Sequence, residues 1–125
     1  MNKKDMHITI KNQTDAIWHL NDKDMKHGKC KNKDNKFPSK ISAGGEETLY
    51  VGKRTGASVG PEGWVQYTTD LKEGGSSELT INFHKPYGSE ATTCSANATK
   101  NFNANATNKD FQTSDAYCDV IITSR

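Results

Sequence analysis

The sequence has few large apolar residues. Leu, Ile, Val and Phe make up 19 of its 125 residues, and no stretch approaches the roughly 18 consecutive apolar residues that a membrane-spanning helix needs. The start of the chain, MNKKDMHITIK, contains lysines but no apolar segment of the kind found in a secretion signal. We therefore expect a protein that is made in the cytoplasm without a signal peptide and that folds around a thin core.

Strong net charge and a disulfide framework are also absent. The chain has 17 basic and 15 acidic residues, and its formal net charge is +2, which argues against nucleic acid as the main partner. The three cysteines are Cys30, Cys94 and Cys118. This odd number, in a chain with no export signal, favours free thiols. Whether Cys94 and Cys118 form a disulfide stays open, because the sequence does not fix the distance between them.

No catalytic or metal-binding motif is present. His27 and Cys30 have the spacing of half a zinc site, but a second ligand pair with suitable spacing is missing. The glycines between residues 52 and 63 lack the Gly-Lys-Ser/Thr ending of a phosphate-binding loop, and no Gly-x-Ser-x-Gly sequence occurs. We expect no enzymatic activity, no catalytic residue, no metal and no cofactor. A hydrolase would become credible only if changing a His or Cys abolished an activity while surface binding survived.

Short runs of alternating apolar and polar residues predict β-strands. Glycine and proline punctuate these runs, and no segment has the helical period. The sequence therefore predicts one domain over residues 1–125, an all-β, antiparallel two-sheet β-sandwich of seven or eight short strands. The clearest strands are 7–11 (HITIK), 48–51 (TLYV), 64–68 (WVQYT), 78–84 (ELTINFH) and 117–124 (YCDVIITS).

Pairing and loops follow from the same patterns. Residues 16–20 (AIWHL) are expected to form a hairpin with the first strand, with Trp18 in the core. Residues 21–40 contain seven lysines and three aspartates, which is typical of a long loop or an irregular edge with a solvated surface. The strands at 64–68 and 78–84 are expected to pair antiparallel. Residues 91–107 are rich in Asn, Ala and Thr and are expected to form a strand and loops.

The most distinctive stretch is GKRTGASVGPEGWVQY, residues 52–67. Its Gly60-Pro61-Glu62-Gly63 segment predicts a tight turn. In the strand that follows, Val65 and Tyr67 share one side, which places Trp64 on the other, exposed side. An exposed indole beside a glycine-rich loop indicates contact with an amphipathic partner. The alternative is that Trp64 lies flat on its own loop.

Four segments in order, HITIKNQT, TLYVGKRTGASVGPEGWVQY, ELTINFHKPYGS and VIITSR, resemble the aegerolysin family. The resemblance spans Met6 to Arg125 and is greatest to the small component of the bacterial binary insecticidal crystal toxins. It implies a sandwich that recognises membrane lipid or a gut-surface receptor and forms pores with a larger partner. That partner resembles a perforin in fungi and is a separate β-rich toxin in the bacterial pairs. Such a protein is stored in crystal inclusions or released, and it acts at the target cell membrane.

The chain departs from the fungal members of that family. Fungal members have tryptophans where this sequence has Met6-His7 and His27-Gly28, and an acidic residue where it has Val59. Their Trp-Asp-Cys-Pro-Trp segment corresponds here to residues 83–87, which keep the proline and one aromatic. These differences favour the bacterial branch over sphingolipid recognition of the fungal type.

The predicted site combines exposed aromatics with neighbouring charges, which would dock on a lipid headgroup or a receptor glycan. One such anchor is weak, so stable attachment would need self-association or the second protein. The alternative function is a carbohydrate-binding, lectin-like module without pore formation, because exposed aromatics also stack on sugar rings. The predicted lipid- or receptor-binding residues are Trp64, Tyr87, Lys85, Arg54, Tyr50 and Glu62.

Overall fold

The computed structural model describes residues 5–86, 91–109 and 115–125. Within these ranges it contains two five-stranded sheets and one 3-10 turn at Lys33–Asn35. The first sheet has the order β3-β5-β1-β10-β9 and the second β4-β2-β6-β7-β8. The strands are β1 (Met6–Asn12), β2 (Trp18–His27), β3 (Lys29–Cys30), β4 (Lys40–Ile41), β5 (Glu46–Gly52), β6 (Glu62–Asp70), β7 (Ser76–His84), β8 (Thr93–Ala98), β9 (Phe102–Lys109) and β10 (Ala116–Ser124).

The core lies between the two sheets and is built by alternate residues of the long strands. Trp18 is fully buried, as predicted, and its ring meets that of Phe102 edge-on with 5.0 Å between centroids. Each fully buried aliphatic or aromatic side chain contributes about 1.5–3 kcal/mol relative to an exposed one. The predicted all-β sandwich is confirmed. Its fully buried side chains include Met6, Ile8, Ile10, Leu49, Val51, Val120 and Ile122 from the first sheet, and Ile41, Val65, Tyr67, Leu79 and Ile81 from the second.

Strand pairing is mostly antiparallel. The predicted antiparallel pairing of the strands around 64–68 and 78–84 is confirmed, because β6 and β7 run antiparallel from Glu62↔His84 to Asp70↔Ser76. One pair differs from the antiparallel expectation, since β1 and β10 are parallel, with Ile8 opposite Cys118. The first and last long strands of the chain therefore lie side by side in the middle of the first sheet.

The hairpin predicted between the first strand and residues 16–20 is wrong. β2 belongs to the second sheet, where it pairs with β4 and β6. The chain crosses between the sheets around the buried Asn12, whose carboxamide donates to the carbonyl oxygens of Ala16 (2.8 Å) and Ser42 (2.9 Å). Its side-chain oxygen accepts a hydrogen bond from the Thr14 hydroxyl at 2.6 Å. The crossover is thus stabilised by a polar side chain, Asn12, which cannot be recognised from the pattern of apolar residues in the sequence.

The long loop predicted over residues 21–40 is only partly correct. β2 continues to His27 along β6, with irregularities between Leu20 and Asp22 and between Met25 and His27. Most side chains of this extension are exposed, so the strand is held by backbone pairing and shows no apolar alternation. Residues 91–107 include β8 and the greater part of β9, in agreement with the expected strand.

The cysteines are buried free thiols. Cys94 of β8 and Cys118 of β10 hydrogen-bond to each other across the core, and that bond together with burial raises the pKa of Cys94. Burial also raises the pKa of Cys30. The hydrogen bond between Cys94 and Cys118 lowers the pKa of Cys118. All three thiols are buried, and this burial shields them from reagents in the folded protein.

The loops of the sandwich lie at its two ends. The glycine-loop end carries residues 53–61, next to the start of β6 and the end of β7. The hairpin end carries residues 71–75 and 99–101 and the crossover at 13–17. No helix in the described part of the chain is both long and apolar enough to cross a bilayer.

Candidate functional site

Trp64 lies on the outer side of the second sheet, near the glycine-loop end. Its neighbour Val65 is fully buried on the opposite side of β6, and the indole itself is half-buried. The side chain lines a shallow pocket of about 400 Å³ on the sheet surface, which we call the Trp64 pocket. The outward placement inferred from the alternation of residues 64–68 therefore agrees with the structure.

Polar groups surround this indole. Glu62 lies between two partners, with its carboxylate 3.6 Å from Nε2 of His84 and 3.9 Å from Nζ of Lys26. Both distances exceed that of a good hydrogen bond, so the carboxylate retains capacity to accept one from a ligand. The pocket thus combines an aromatic surface with hydrogen-bonding groups of both kinds. Its other polar residues are Asp24, Asn82, Thr93 and Ser95.

Glycine is required beside this pocket because backbones approach closely. A Cβ atom on Gly60 would collide with the carbonyl oxygen of Lys85, and one on Gly63 with the carbonyl oxygen of Asp24. The Lys85 N–H also donates to the carbonyl of Pro61 at 2.9 Å. These contacts fix the start of β6 against the neighbouring strands and so position Trp64.

The tight turn predicted at residues 60–63 is wrong. Glu62 and Gly63 already belong to β6, and the turn lies earlier, where the N–H of Ala57 donates to the carbonyl of Arg54 at 3.0 Å. Gly56 provides the positive φ of that turn, at 80°. The close packing at Gly60 explains the glycine there without a turn.

The structure does not support the predicted role of Lys85 as an exposed cation. Lys85 is 7% exposed, because its backbone is held between the loop residues Gly60 and Pro61. A buried side chain cannot present its ammonium group to a lipid headgroup. The sequence placed Lys85 beside a turn, where lysine is normally solvated, and it gave no sign of this contact.

The other predicted site residues are dispersed. Arg54 is exposed in the glycine loop, and Tyr87 lies outside the described residues. Tyr50 is on β5, so it faces outward from the first sheet, on the opposite side of the sandwich from Trp64. Of the six predicted residues, the structure brings Trp64 and Glu62 into one pocket.

Several residues of the Trp64 pocket were not predicted. Asn82 and His84 alternate with the apolar residues of β7, so their outward direction was visible in the sequence. Their position was not, because it depends on the register that sets Asn82 opposite Trp64 and His84 opposite Glu62. Asp24 and Lys26 were assigned to a loop, and their place in the pocket depends on the extension of β2.

A second cluster occupies the outer side of the first sheet. Lys31 and Tyr50 both contact the buried carboxylate of Asp5, with Lys31 Nζ at 2.9 Å and the Tyr50 hydroxyl at 2.8 Å. These hydrogen bonds to Asp5 raise the pKa of Lys31 and of Tyr50. The ammonium of Lys31 also lies 5.0 Å from the centroid of the Tyr50 ring. The contacts give Tyr50 a packing role.

A second cleft lies away from the Trp64 pocket. It has a volume of about 480 Å³ and lies at the hairpin end, where Ile17, Leu71 and Phe102 line it together with the acidic Asp70 and Glu73. It contains none of the six predicted site residues.

Comparisons with known proteins identify the class of fold. Neither a scan against protein-family models nor a search of curated proteins finds a match to this sequence. Among solved structures, the chain is similar to the lipid-binding protein Nakanori (12% identity, TM-score 0.81, 98% of this chain and 72% of that one). It is also similar to RahU protein, solved in complex with a TRIS molecule (15%, 0.74, 98% and 96%). A third similar structure is IP-1A from Alcaligenes faecalis (15%, 0.64, 98% and 94%). At these identities the similarity shows a shared sandwich fold.

Proposed function

We propose that this protein binds membrane lipid through the Trp64 pocket. The observation that carries the proposal is a half-exposed indole on β6, set among groups that accept and donate hydrogen bonds. An indole inserts part-way into the interfacial region of a bilayer, while neighbouring polar and charged groups contact the headgroups. Such a site attaches a protein to a membrane without a spanning segment.

Two further observations support this proposal. The chain shares its fold with Nakanori, which is described as a lipid-binding protein. The order of segments from residue 6 to residue 125 resembles the aegerolysins, whose members recognise membrane lipid. Arg54, exposed in the adjacent glycine loop, supplies a cation that would contact anionic headgroups.

The finer proposal is that the chain is a non-enzymatic toxin component of the aegerolysin type, similar to the small component of the bacterial binary insecticidal toxins. It would act at the target cell membrane and form pores with a larger β-rich or perforin-like partner. One small aromatic site gives weak attachment, so several copies or that partner would be needed to hold the protein on a membrane. Self-association would raise the effective concentration of the site in the same way.

Vesicle flotation tests the lipid site directly. Wild-type protein is expected to float with vesicles made from target gut lipids, and a Trp64→Ala variant is expected to lose at least about 1 kcal/mol of binding free energy, roughly a fivefold change. The control is Ile17→Ala, which removes a side chain that is 44% exposed at the hairpin end. Failure of the wild type to float, or equal losses in both variants, would contradict the proposal.

A second candidate function is carbohydrate binding without pore formation. It is favoured by the same pocket, because an aromatic ring beside Glu62, Asn82 and Ser95 offers a stacking surface together with hydrogen-bonding partners for sugar hydroxyls. A glycan array separates the two candidates. Binding to free glycans that is lost in Trp64→Ala, without any flotation on vesicles, would favour the sugar-binding function.

A further inference from the structure

The cleft at the hairpin end lies at the opposite end of β6 from the Trp64 pocket. β6 begins at Glu62, which lines that pocket, and ends at Asp70, which lines the cleft. The other walls come from the crossover at 13–17, the hairpin at 71–75 and the turn that leads into β9, and these segments all lie within the described ranges. With a volume of about 480 Å³, the cleft is in the size range of small-molecule sites.

Hydrogen bonds fix the walls of this cleft relative to one another. The carboxamide of Asn101 donates to the Glu73 carboxylate at 2.8 Å, which joins the hairpin to the turn before β9. The carbonyl of Asn101 accepts from the N–H of Arg125 at 2.9 Å, and within the hairpin the N–H of Gly74 donates to the carbonyl of Leu71 at 3.0 Å. A ligand would therefore meet walls that are already in place, which lowers the entropic cost of binding.

Part of the cleft lining is apolar. Ile17, Leu71 and Phe102 contribute to it. Ile17 is 44% exposed and Leu71 is half-buried, whereas Phe102 is buried with its ring edge-on to Trp18. An apolar group placed against Ile17 and Leu71 would remove both side chains from water, which favours binding.

The charges that line the cleft are mainly negative. Asp15, Asp70 and Glu73 line it together with Lys72. Glu73 already has partners, because the carboxamide hydrogen bond described above and, to a smaller extent, the charge of Lys100 lower its pKa. The carboxylates of Asp15 and Asp70, by contrast, accept no hydrogen bond and form no ion pair with another described residue. Both therefore keep their full capacity to accept hydrogen bonds from a ligand.

We propose that this cleft binds a small organic cation, in which an ammonium group is attached to an apolar body. The apolar body packs against Ile17 and Leu71, and the ammonium donates charge-assisted hydrogen bonds to the carboxylates of Asp15 and Asp70. An anionic ligand would be repelled by these carboxylates, and an uncharged apolar ligand would leave them unused. Walls on three sides leave room for a whole small molecule, whereas a protein partner would reach the apolar lining only with a single side chain.

This proposal does not depend on lipid binding. The cleft and the Trp64 pocket share no lining residue among those described. The experiments below use protein without lipid, so their failure would leave the Trp64 proposal intact. Failure of vesicle binding would likewise leave the cation site intact.

An NMR titration of isotope-labelled protein tests the ligand class. The probe is phenethylamine, which is protonated at neutral pH, and we expect weak binding with a dissociation constant of the order of 1 mM. Phenethyl alcohol has nearly the same shape without the charge, and hydrocinnamate has the opposite charge. Phenethylamine should bind at least about threefold more tightly than either, with the largest amide shifts at residues 15–17, 70–73 and 101–102. Equal affinities for the amine and the alcohol, or shifts centred elsewhere, would overturn the proposal.

Charge variants test the role of the two aspartates. The double variant Asp15→Asn, Asp70→Asn removes both negative charges with little change in shape. It should lose the preference for the amine over the alcohol while its affinity for the alcohol stays the same. The matched control is Asp22→Asn, which is exposed on β2 outside the cleft. An unchanged preference in the double variant, or the same loss in the control, would refute the assignment of these carboxylates.

A second pair of variants tests the apolar lining. Ile17→Ala is matched by Val59→Ala in the glycine loop, because the two side chains are 44% and 42% exposed. Ile17→Ala should weaken the binding of both the amine and the alcohol at least about threefold, and Val59→Ala should change neither. The amide spectra themselves show that both variants are folded. Equal affinities in the two variants would contradict the proposed contact.

A capped lysine distinguishes a free amine from a side chain of a protein partner. Acetyl-lysine-methylamide carries its ammonium on a linear stem, which covers less of the apolar lining than an aromatic ring does. It is expected to bind more weakly than phenethylamine. Tighter binding of the capped lysine would assign the cleft to a protein partner and would overturn the small-ligand proposal.

Discussion

The imidazole of His7 lies parallel to the phenol ring of Tyr50, with 4.5 Å between the ring centroids and 15° between the planes. On its other side it stacks on Tyr117 at 4.7 Å and 9°, so the three rings form a continuous stack across β5, β1 and β10. Nε2 of His7 also lies 3.1 Å from the carboxylate of Asp115. The aromatic ring of Tyr50, predicted to contact lipid, is thus engaged in holding three strands of the first sheet together.

This stack predicts that His7→Ala destabilises the fold. Removing the central ring breaks two stacked pairs, each worth about 0.5–1.5 kcal/mol, so a loss of about 1–3 kcal/mol in the free energy of unfolding is expected. His7→Phe keeps a flat ring in the stack and should retain most of the stability. Urea denaturation measures both variants. Equal stability of His7→Ala and wild type would show that the stack contributes nothing.

The network around Asp5 predicts a loss of stability at alkaline pH. The pKa values of Lys31 and Tyr50 are raised in the folded protein, chiefly by hydrogen bonds to Asp5. A raised folded-state pKa gives stability that is present below the unfolded value, about 10 for both groups, and is lost as the pH rises through the folded values. Stability should therefore decrease above about pH 10.

A variant isolates the contribution of Tyr50 to this pH dependence. Tyr50→Phe keeps the ring on His7 but removes the hydroxyl that donates to Asp5. It should lower the stability by about 1 kcal/mol at neutral pH and make the decrease above pH 10 less steep. The measurement is urea denaturation between pH 7 and 11. The same slope in the variant and in wild type would contradict this account.

The close packing of Gly60 predicts that Gly60→Ala is destabilising. The added methyl group would collide with the carbonyl oxygen of Lys85, and relief of that overlap requires a backbone shift that costs about 2 kcal/mol. Ser58→Ala is the matched control, because Ser58 is exposed in the same loop. Thermal unfolding of the two variants makes the comparison, and a Gly60→Ala midpoint equal to that of the control would rule out this packing role.

The strands could be predicted where apolar and polar side chains alternate. They were harder to predict where backbone pairing or a polar side chain determines the course of the chain. The strands around Ile8, Val65 and Ile81 follow from period-2 burial. The assignment of β2 to the second sheet depends on the carboxamide of Asn12, and the extension of β2 to His27 depends on pairing with β6. Neither leaves an apolar pattern in the sequence.

The sequence predicted the position of Trp64 in the candidate site, but it did not predict the positions of Lys85 and Tyr50. Alternation placed Trp64 on the outer side, and the neighbouring Glu62 shares its pocket. Lys85 was predicted to be exposed, but it is buried where its backbone contacts Gly60 and Pro61. This contact joins residues far apart in the sequence, so the residues next to Lys85 do not reveal it. Tyr50 was grouped with Trp64 because the sequence does not show that their strands lie in different sheets.

Tryptophan fluorescence tests the central claim most directly, because the chain has two tryptophans and Trp18 is fully buried. With vesicles that the wild type binds, its emission should shift to shorter wavelength as Trp64 enters the interface. Trp64→Phe leaves the buried Trp18 as the single emitter, and it should show no shift. A shift of the same size in Trp64→Phe, or vesicle binding by wild type without any shift, would contradict the assignment of Trp64 as the membrane contact.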